Sequence, residues 1–307
     1  MVAINKFILT FSVLLSTLIL ATGATAMADV KYVLKLRTEN AKCIVFVNEM
    51  EAVSSMWVDS GTISTGLDTT AYVENGSNSL SVWFGPAGDQ AGTYDFVKPS
   101  KCLVTIEAQS PSKSLIISNI IIEANKNVPP SAQNSIHYEG GDLTSKVIEG
   151  KVPNFNAYQA NRIFDLKQVP KWAWTTATPF TPTAENMQKL RDAYMKIWLA
   201  MDKKSIDGMK RLMDIDISEE AQNEGVSKDL FFSTYDFDHD FKTCKGAVKI
   251  DFSKYSLKSY RGGRLIQLQD ENDDSPLKLR RTNSDTHELT SYNPFLSLIN
   301  GQIVITR

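Results

Sequence analysis

Between residues 29 and 127 the chain alternates apolar and polar positions in short runs. "VKYVLKL", "KCIVFVNE", "SLSVWFG", "KCLVTIEA" and "SLIISNIIIEA" are rich in β-branched and aromatic residues, the composition that suits a pleated, half-buried surface. Turn-forming clusters separate them: "DSG", "ENGSNS", "GPAGDQAG" and "SPSK". Asn75-Gly76 is a tight-turn pair. Strands and turns recurring at this spacing predict an all-β sandwich of immunoglobulin-like size over residues 29–127.

Residues 128–182 read as a linker or extension. Pro129-Pro130 opens it as an extended connector. Trp172 and Trp174 follow in "VPKWAWTTATPFTP". On a strand these two indoles share one face. They read either as a stacking platform for a partner or sugar, or as packing at a junction.

At Thr183 the period changes. Thr183 is placed to cap a helix, and Glu185 suits its positive end. Met187, Leu190, Tyr194, Ile197, Trp198 and Met201 recur at helical spacing. Ile206, Met209 and Leu212 mark a second helix, and a third is expected from Ser218 to Gly225. The remainder reads as strands: "KDLFFSTYDFDHDF", "GAVKIDFSKYSLKSY", "RLIQLQ", "PLKLRR" and "NGQIVITR". Asn300-Gly301 predicts a last hairpin turn. Helices followed by antiparallel strands give an α+β order over 183–307, with helices packed on a curved sheet.

The stretch "LRDAYMKIWLAMDKKSIDGMKRLM", the strands after it and the closing "SLINGQIVITR" resemble the nuclear-transport-factor-2-like, cone-shaped superfamily. The resemblance implies an early helix pair, a curved sheet and a closing hairpin. The superfamily hosts both enzymes and binding modules, so it implies no single activity.

The N-terminus reads as a signal peptide over residues 1–28. Lys6 precedes an uncharged apolar run from Phe7 to Leu20, and Ala26-Met27-Ala28 supplies a small-x-small cleavage pattern. The run is shorter than the roughly 20 residues of a membrane span, and no later segment approaches that length. A periplasmic or secreted location follows. There Cys43 and Cys102, each in a strand-like run, are expected to pair as a disulfide, with Cys244 left over.

Charge is nearly balanced, 33 Lys and Arg against 35 Asp and Glu. That argues against nucleic acid as a partner, since such proteins carry a basic stripe. Asp236, Asp238 and Asp240 alternate with Phe237, His239 and Phe241. On a strand the acids face one way and His239 the other, which leaves an acidic outer face and no compact metal or acid–base cluster. "DENDDS" at 270–275 reads as a hairpin turn. "RGGR" brings Arg261 and Arg264 together as a candidate anion clamp, or as flanks of a turn. The three histidines are His137, His239 and His287. No nucleophile elbow, zinc-protease helix or phosphate loop accompanies them, and His287-Glu288 is a lone acid–base dyad. No cofactor or metal motif is present.

Trp172, Trp174, Asp236, Asp238, Asp240, Arg261 and Arg264 are therefore the candidate binding residues. The expected function is non-enzymatic recognition of a protein, such as a periplasmic immunity protein blocking a secreted toxin. Two alternatives stay open. One is a small-ligand carrier or hydrolase- or isomerase-type enzyme with a pocket in 183–307. The other is an envelope-assembly accessory.

Overall fold

The computed structural model describes residues 30–88, 93, 95–133, 147–153, 155–282 and 289–307. The proposed signal segment, His137 and the His287-Glu288 dyad lie outside them. Among the described residues the chain is mostly antiparallel β-sheet, in four sheets, with a few helices.

Among the described residues, ten strands come first. They are β1 (Lys31–Glu39), β2 (Ala41–Val47), β3 (Met50–Ser54), β4 (Ile63–Asp68), β5 (Gly76–Pro86), β6 (Ser100–Gln109), β7 (Ser114–Asn125), β8 (Val128–Gln133), β9 (Ile148–Lys151) and β10 (Tyr158–Leu166). Hydrogen bonding orders them as a first sheet β4-β1-β6-β7-β8 and a second sheet β3-β2-β5-β10-β9. Period-2 alternation explains their common core. Leu34 and Leu36 of β1, Val104 and Ile106 of β6, and Ile120 and Ile122 of β7 meet Cys43, Val45, Leu80, Val82, Phe84 and Phe164 of the second sheet. The side chains between them, such as Lys35 and Arg37, turn outward.

The sheets continue past residue 127, where a connector was expected. β8 carries Pro129-Pro130 as the edge strand of the first sheet, a place where proline's missing N–H does not break a ladder. β10 pairs with β5 along its whole length, from Tyr158↔Phe84 to Leu166↔Gly76.

Five helices follow: α1 (Ala184–Asp202), α2 (Ile206–Leu212), α3 (Asp214–Glu224), α4 (Lys228–Ser233) and α5 (Phe237–Thr243). Thr183 caps α1, its side chain accepting from the Asn186 N–H at 3.2 Å. Gly225, at φ 69°, ends α3 in the left-handed conformation that glycine tolerates. α3 begins at Asp214, four residues before the expected Ser218.

The last strands are β11 (Cys244–Ala247), β12 (Ser256–Tyr260), β13 (Leu265–Gln269), β14 (Leu277–Arg281), β15 (Leu289–Tyr292), β16 (Leu296–Ile299) and β17 (Gln302–Ile305). Where one curved sheet was expected, they form two ladders, β11-β14-β15 and β12-β13-β16-β17. The turn between β16 and β17 is Asn300-Gly301, with φ 49° and 76°. Leu190, Tyr194, Ile197 and Met201 of α1 pack with Ile266, Leu277, Leu279 and Leu296 from these strands.

One expectation fails outright. "KDLFFSTYDFDHDF" is not a strand but forms α4 and α5. Ser227 caps α4 by accepting from the Leu230 N–H at 3.1 Å. Phe237 and Phe241 are four apart, a spacing that puts two side chains on one face of a strand or of a helix alike. His239 distinguishes the two: on a strand it would join the phenylalanines, but it is exposed while they are buried.

A third, smaller apolar cluster lies between the two larger ones. It joins Met50 from β3, Trp172, Trp174 and Leu265 from β13, with Tyr72, Tyr260 and Phe295 against them.

Candidate functional site

The Trp172–Trp174 segment lies in and beside a short 3-10 turn, Ala173–Thr176. Both indoles are buried, with Trp174 fully inaccessible. Trp172 Nε1 donates to the Thr70 carbonyl at 2.9 Å and Trp174 Nε1 to the Ala71 carbonyl at 3.0 Å. They therefore pack the junction and present no open platform.

Both arginines of "RGGR" are engaged by an internal carboxylate, that of Glu74. Arg264 donates from Nη1 and Nη2 to the two carboxylate oxygens of Glu74, each at 2.6 Å. Arg261 donates to the same carboxylate, through Nε at 2.9 Å and also through Nη2. The Arg264 guanidinium lies 5.3 Å from the Trp174 ring centre, within cation–π range. Three successive left-handed residues, Arg261, Gly262 and Gly263, bend the backbone to bring the two arginines together. Burial alone would raise the Glu74 pKa; hydrogen bonds from Arg264 and Arg261 outweigh it and hold the carboxyl below its ordinary range.

The aspartates do not gather. Asp236 precedes α5 at φ 54°, Asp238 is exposed, and Asp240 accepts a hydrogen bond from the Tyr292 hydroxyl. In the 270–275 turn, Lys278 pairs with Asp270 at 3.3 Å and Asp274 at 3.0 Å. Among the described residues, no three His, Cys, Asp or Glu side chains converge as a metal site requires. Also among them, no helix is long and apolar enough to cross a membrane.

The expected disulfide is absent: Cys43, Cys102 and Cys244 are buried free thiols. Cys43 and Cys102 interact across the core between the two large sheets. Burial first, then the neighbouring Cys102 thiol, pushes the Cys43 thiol well above its ordinary pKa.

Two features escaped the motif reading. The first is a cavity of about 260 Å³ between the helices and the C-terminal strands. Met209, Met213, Phe237, Leu277 and Tyr292 make much of its wall, and Asp216 and Arg307 bring charge to it. Asp216 accepts from the Tyr235 hydroxyl at 2.5 Å, and burial raises its pKa despite that bond. Single-residue spacing offers no signal for this convergence, because its members come from four helices, three strands and the segments between them.

The second is the outer face of the second sheet. Phe46 and Trp83 have ring centres 4.9 Å apart, and Trp83 and Phe155 5.5 Å apart. Phe155 is 58% exposed, and Ile148 and Ile163 are exposed elsewhere on the same sheet. Ser81, Gln159 and Asn161 lie among them, with Gln159 Nε2 donating to Ser81 Oγ at 3.2 Å and Asn161 Oδ1 at 3.1 Å. Lys42 points to the same face and donates to the Met56 and Val58 carbonyls at 2.8 and 2.6 Å. That holds Trp57, 74% exposed, at the rim. Alternation could have found Trp83: with Val82 and Phe84 inward, it must face out.

Compared with family models, curated proteins and solved structures, the chain matches none.

Proposed function

We propose that the protein is an exported, non-enzymatic recognition protein that binds another protein through the outer face of its second sheet. In this reading a β-sandwich domain carries the contact surface, and an α+β domain of nuclear-transport-factor-2-like type braces it. A secreted toxin held inactive in the periplasm is a concrete partner of this kind.

The observation that carries the reading is the outward-facing row of half-buried Phe46 and Trp83 with exposed Phe155, and exposed Trp57 at its rim. Exposed aromatic clusters are costly on a free surface and are characteristic of interface centres. The amides and hydroxyls among them supply directional contacts. The acidic segment at 236–240 does not support it, since that segment is helical with its phenylalanines inward. The Glu74 clamp and the buried tryptophans add support by joining the two large cores, so that little flexibility is lost on binding.

A photo-crosslinking side chain at position 57 or 155, in cells that make the protein naturally, tests this. Both positions should give the same discrete adduct. Position 37, on the outer face of the first sheet, should give none. The reading fails if 57 and 155 give no adduct, or if 37 gives the same one.

A further inference from the structure

The inner cavity contains an unmet demand. Arg307 lines it, and its side chain is 2% exposed. Nη1 donates to Glu219 Oε2 at 2.6 Å and Nε to the Ala71 carbonyl at 3.0 Å. The guanidinium lies 5.0 Å from the Trp172 ring centre, and its Nη2 is buried without a hydrogen-bond acceptor. A buried guanidinium nitrogen without an acceptor is a standing cost that a suitable guest removes.

Size and wall chemistry narrow the guest. A hydrocarbon cavity of roughly 150 Å³ accepts benzene, so about 260 Å³ accommodates one ring with a short substituent. Phe237 and Tyr292 stack with ring centres 5.2 Å apart, and Phe237 continues to Phe232 at 5.7 Å. A guest ring would extend that stack. The thioethers of Met209 and Met213 suit an aromatic edge and adapt to its shape.

Charge narrows it further. The Arg307 guanidinium already has Glu219 at 2.6 Å and Glu220 at 3.9 Å, and Asp216 shares the cavity wall. Glu219 already matches the single charge of Arg307, so a carboxylate guest would bring a second anion to one cation, beside the buried carboxyls of Asp216 and Glu220. A neutral acceptor satisfies Nη2 without that repulsion.

We infer that this cavity binds a small neutral aromatic molecule bearing one hydrogen-bond acceptor, a carbonyl above all, which accepts from Arg307 Nη2. The site is separate from the aromatic face of the second sheet, so either can fail without the other.

Methionine-methyl carbon-13 NMR of the full chain is the test, because Met209 and Met213 line the cavity while Met50 and Met56 lie elsewhere. Acetophenone, benzoate and ethylbenzene are the probes. Acetophenone should shift the Met209 and Met213 methyls saturably and leave Met50 and Met56 in place. Ethylbenzene, which lacks the acceptor, and benzoate, which adds the charge, should each bind at least tenfold more weakly. Filling the cavity from the helix side with Met213→Phe, or from the strand side with Leu277→Phe, should weaken acetophenone more than tenfold. Either variant suffices if its Met50 resonance is unchanged. Absence of any shift at Met209 and Met213 would overturn the site. Equal binding of ethylbenzene would overturn the role of Nη2, and tighter benzoate would overturn the charge assignment.

Discussion

Arg264 holds Glu74 with a two-pronged grip, Nη1 to Oε2 and Nη2 to Oε1, both at 2.6 Å, across 190 residues of sequence. Glu74 follows the turn that also accepts the Trp172 and Trp174 N–H bonds, and Arg264 precedes β13. One carboxylate thus fastens the large β core to the C-terminal strands. Only 13% of its side chain is accessible, so solvent screens the pair weakly.

Glu74→Gln should therefore cost about 3 kcal/mol, since it leaves two arginines facing a neutral amide. Urea unfolding of both proteins at neutral pH measures it. The pH dependence has a definite sign. The folded pKa of Glu74 is depressed, so its contribution is present above the unfolded carboxylate range and disappears as pH falls through the folded value. The two unfolding curves should converge in acid. A constant gap at every pH would show that the loss comes from packing and not from charge.

The loop that aims those arginines offers a second test. Gly263 has φ +84°, and an added Cβ would lie 3.2 Å from the Phe180 nitrogen and 3.3 Å from its oxygen. Both are backbone atoms, and the Phe180 N–H also donates to the Gly263 carbonyl at 2.9 Å. Gly262, at φ +66°, has open space around its Cβ position. Gly262→Ala should cost about 1 kcal/mol for the left-handed backbone alone. Gly263→Ala should cost about 1–3 kcal/mol more from the contact. Equal thermal midpoints for the two variants would contradict this.

These elements show where the sequence was readable. Local signals held: Thr183 and Gly225 bound helices as their chemistry requires, and Asn300-Gly301 makes its hairpin turn. Alternation located β1, β2, β5, β6 and β7. It misled at 228–241, because a four-residue spacing of phenylalanines satisfies both periods. Long-range pairing was illegible. Nothing near "RGGR" names Glu74 as its anion, and nothing near Trp172 names the Thr70 carbonyl as its acceptor. Arg307 and Asp216 reach one cavity only through the tertiary fold.

The cysteines give a chemical prediction. All three are thiols at most 2% exposed, and the Cys43 thiol is held far from ionising by burial. Thiolate is the reactive form. Native protein should resist iodoacetamide at all three positions, and unfolding without reductant should release three alkylated cysteines in the mass spectrum. Alkylation of Cys244 alone would reveal a bond between Cys43 and Cys102. In the loop-entropy account such a bond would add about 4 kcal/mol of stability.

Glu220 gives the sharpest pH prediction. It sits beside Arg307 at 3.9 Å, yet burial lifts its pKa from 4.5 to about 7, with Asp216 adding to the rise. A folded pKa above the unfolded one means that the folded state holds the proton more tightly. Its contribution is then complete below about pH 4.5 and is lost as pH rises through about 7. At about 1.4 kcal/mol per unit the full swing is about 3 kcal/mol. Glu220→Gln cannot ionise, so relative to it the natural protein should lose stability between pH 4.5 and 7.5. Other titrating groups cancel in that difference, which isolates Glu220 from depressed acids such as Glu74. Denaturation midpoints of the two proteins at pH 4.5, 6 and 7.5 measure it. Parallel profiles would mean that Glu220 stays ionised through the range, and that Arg307 and solvent outweigh its burial.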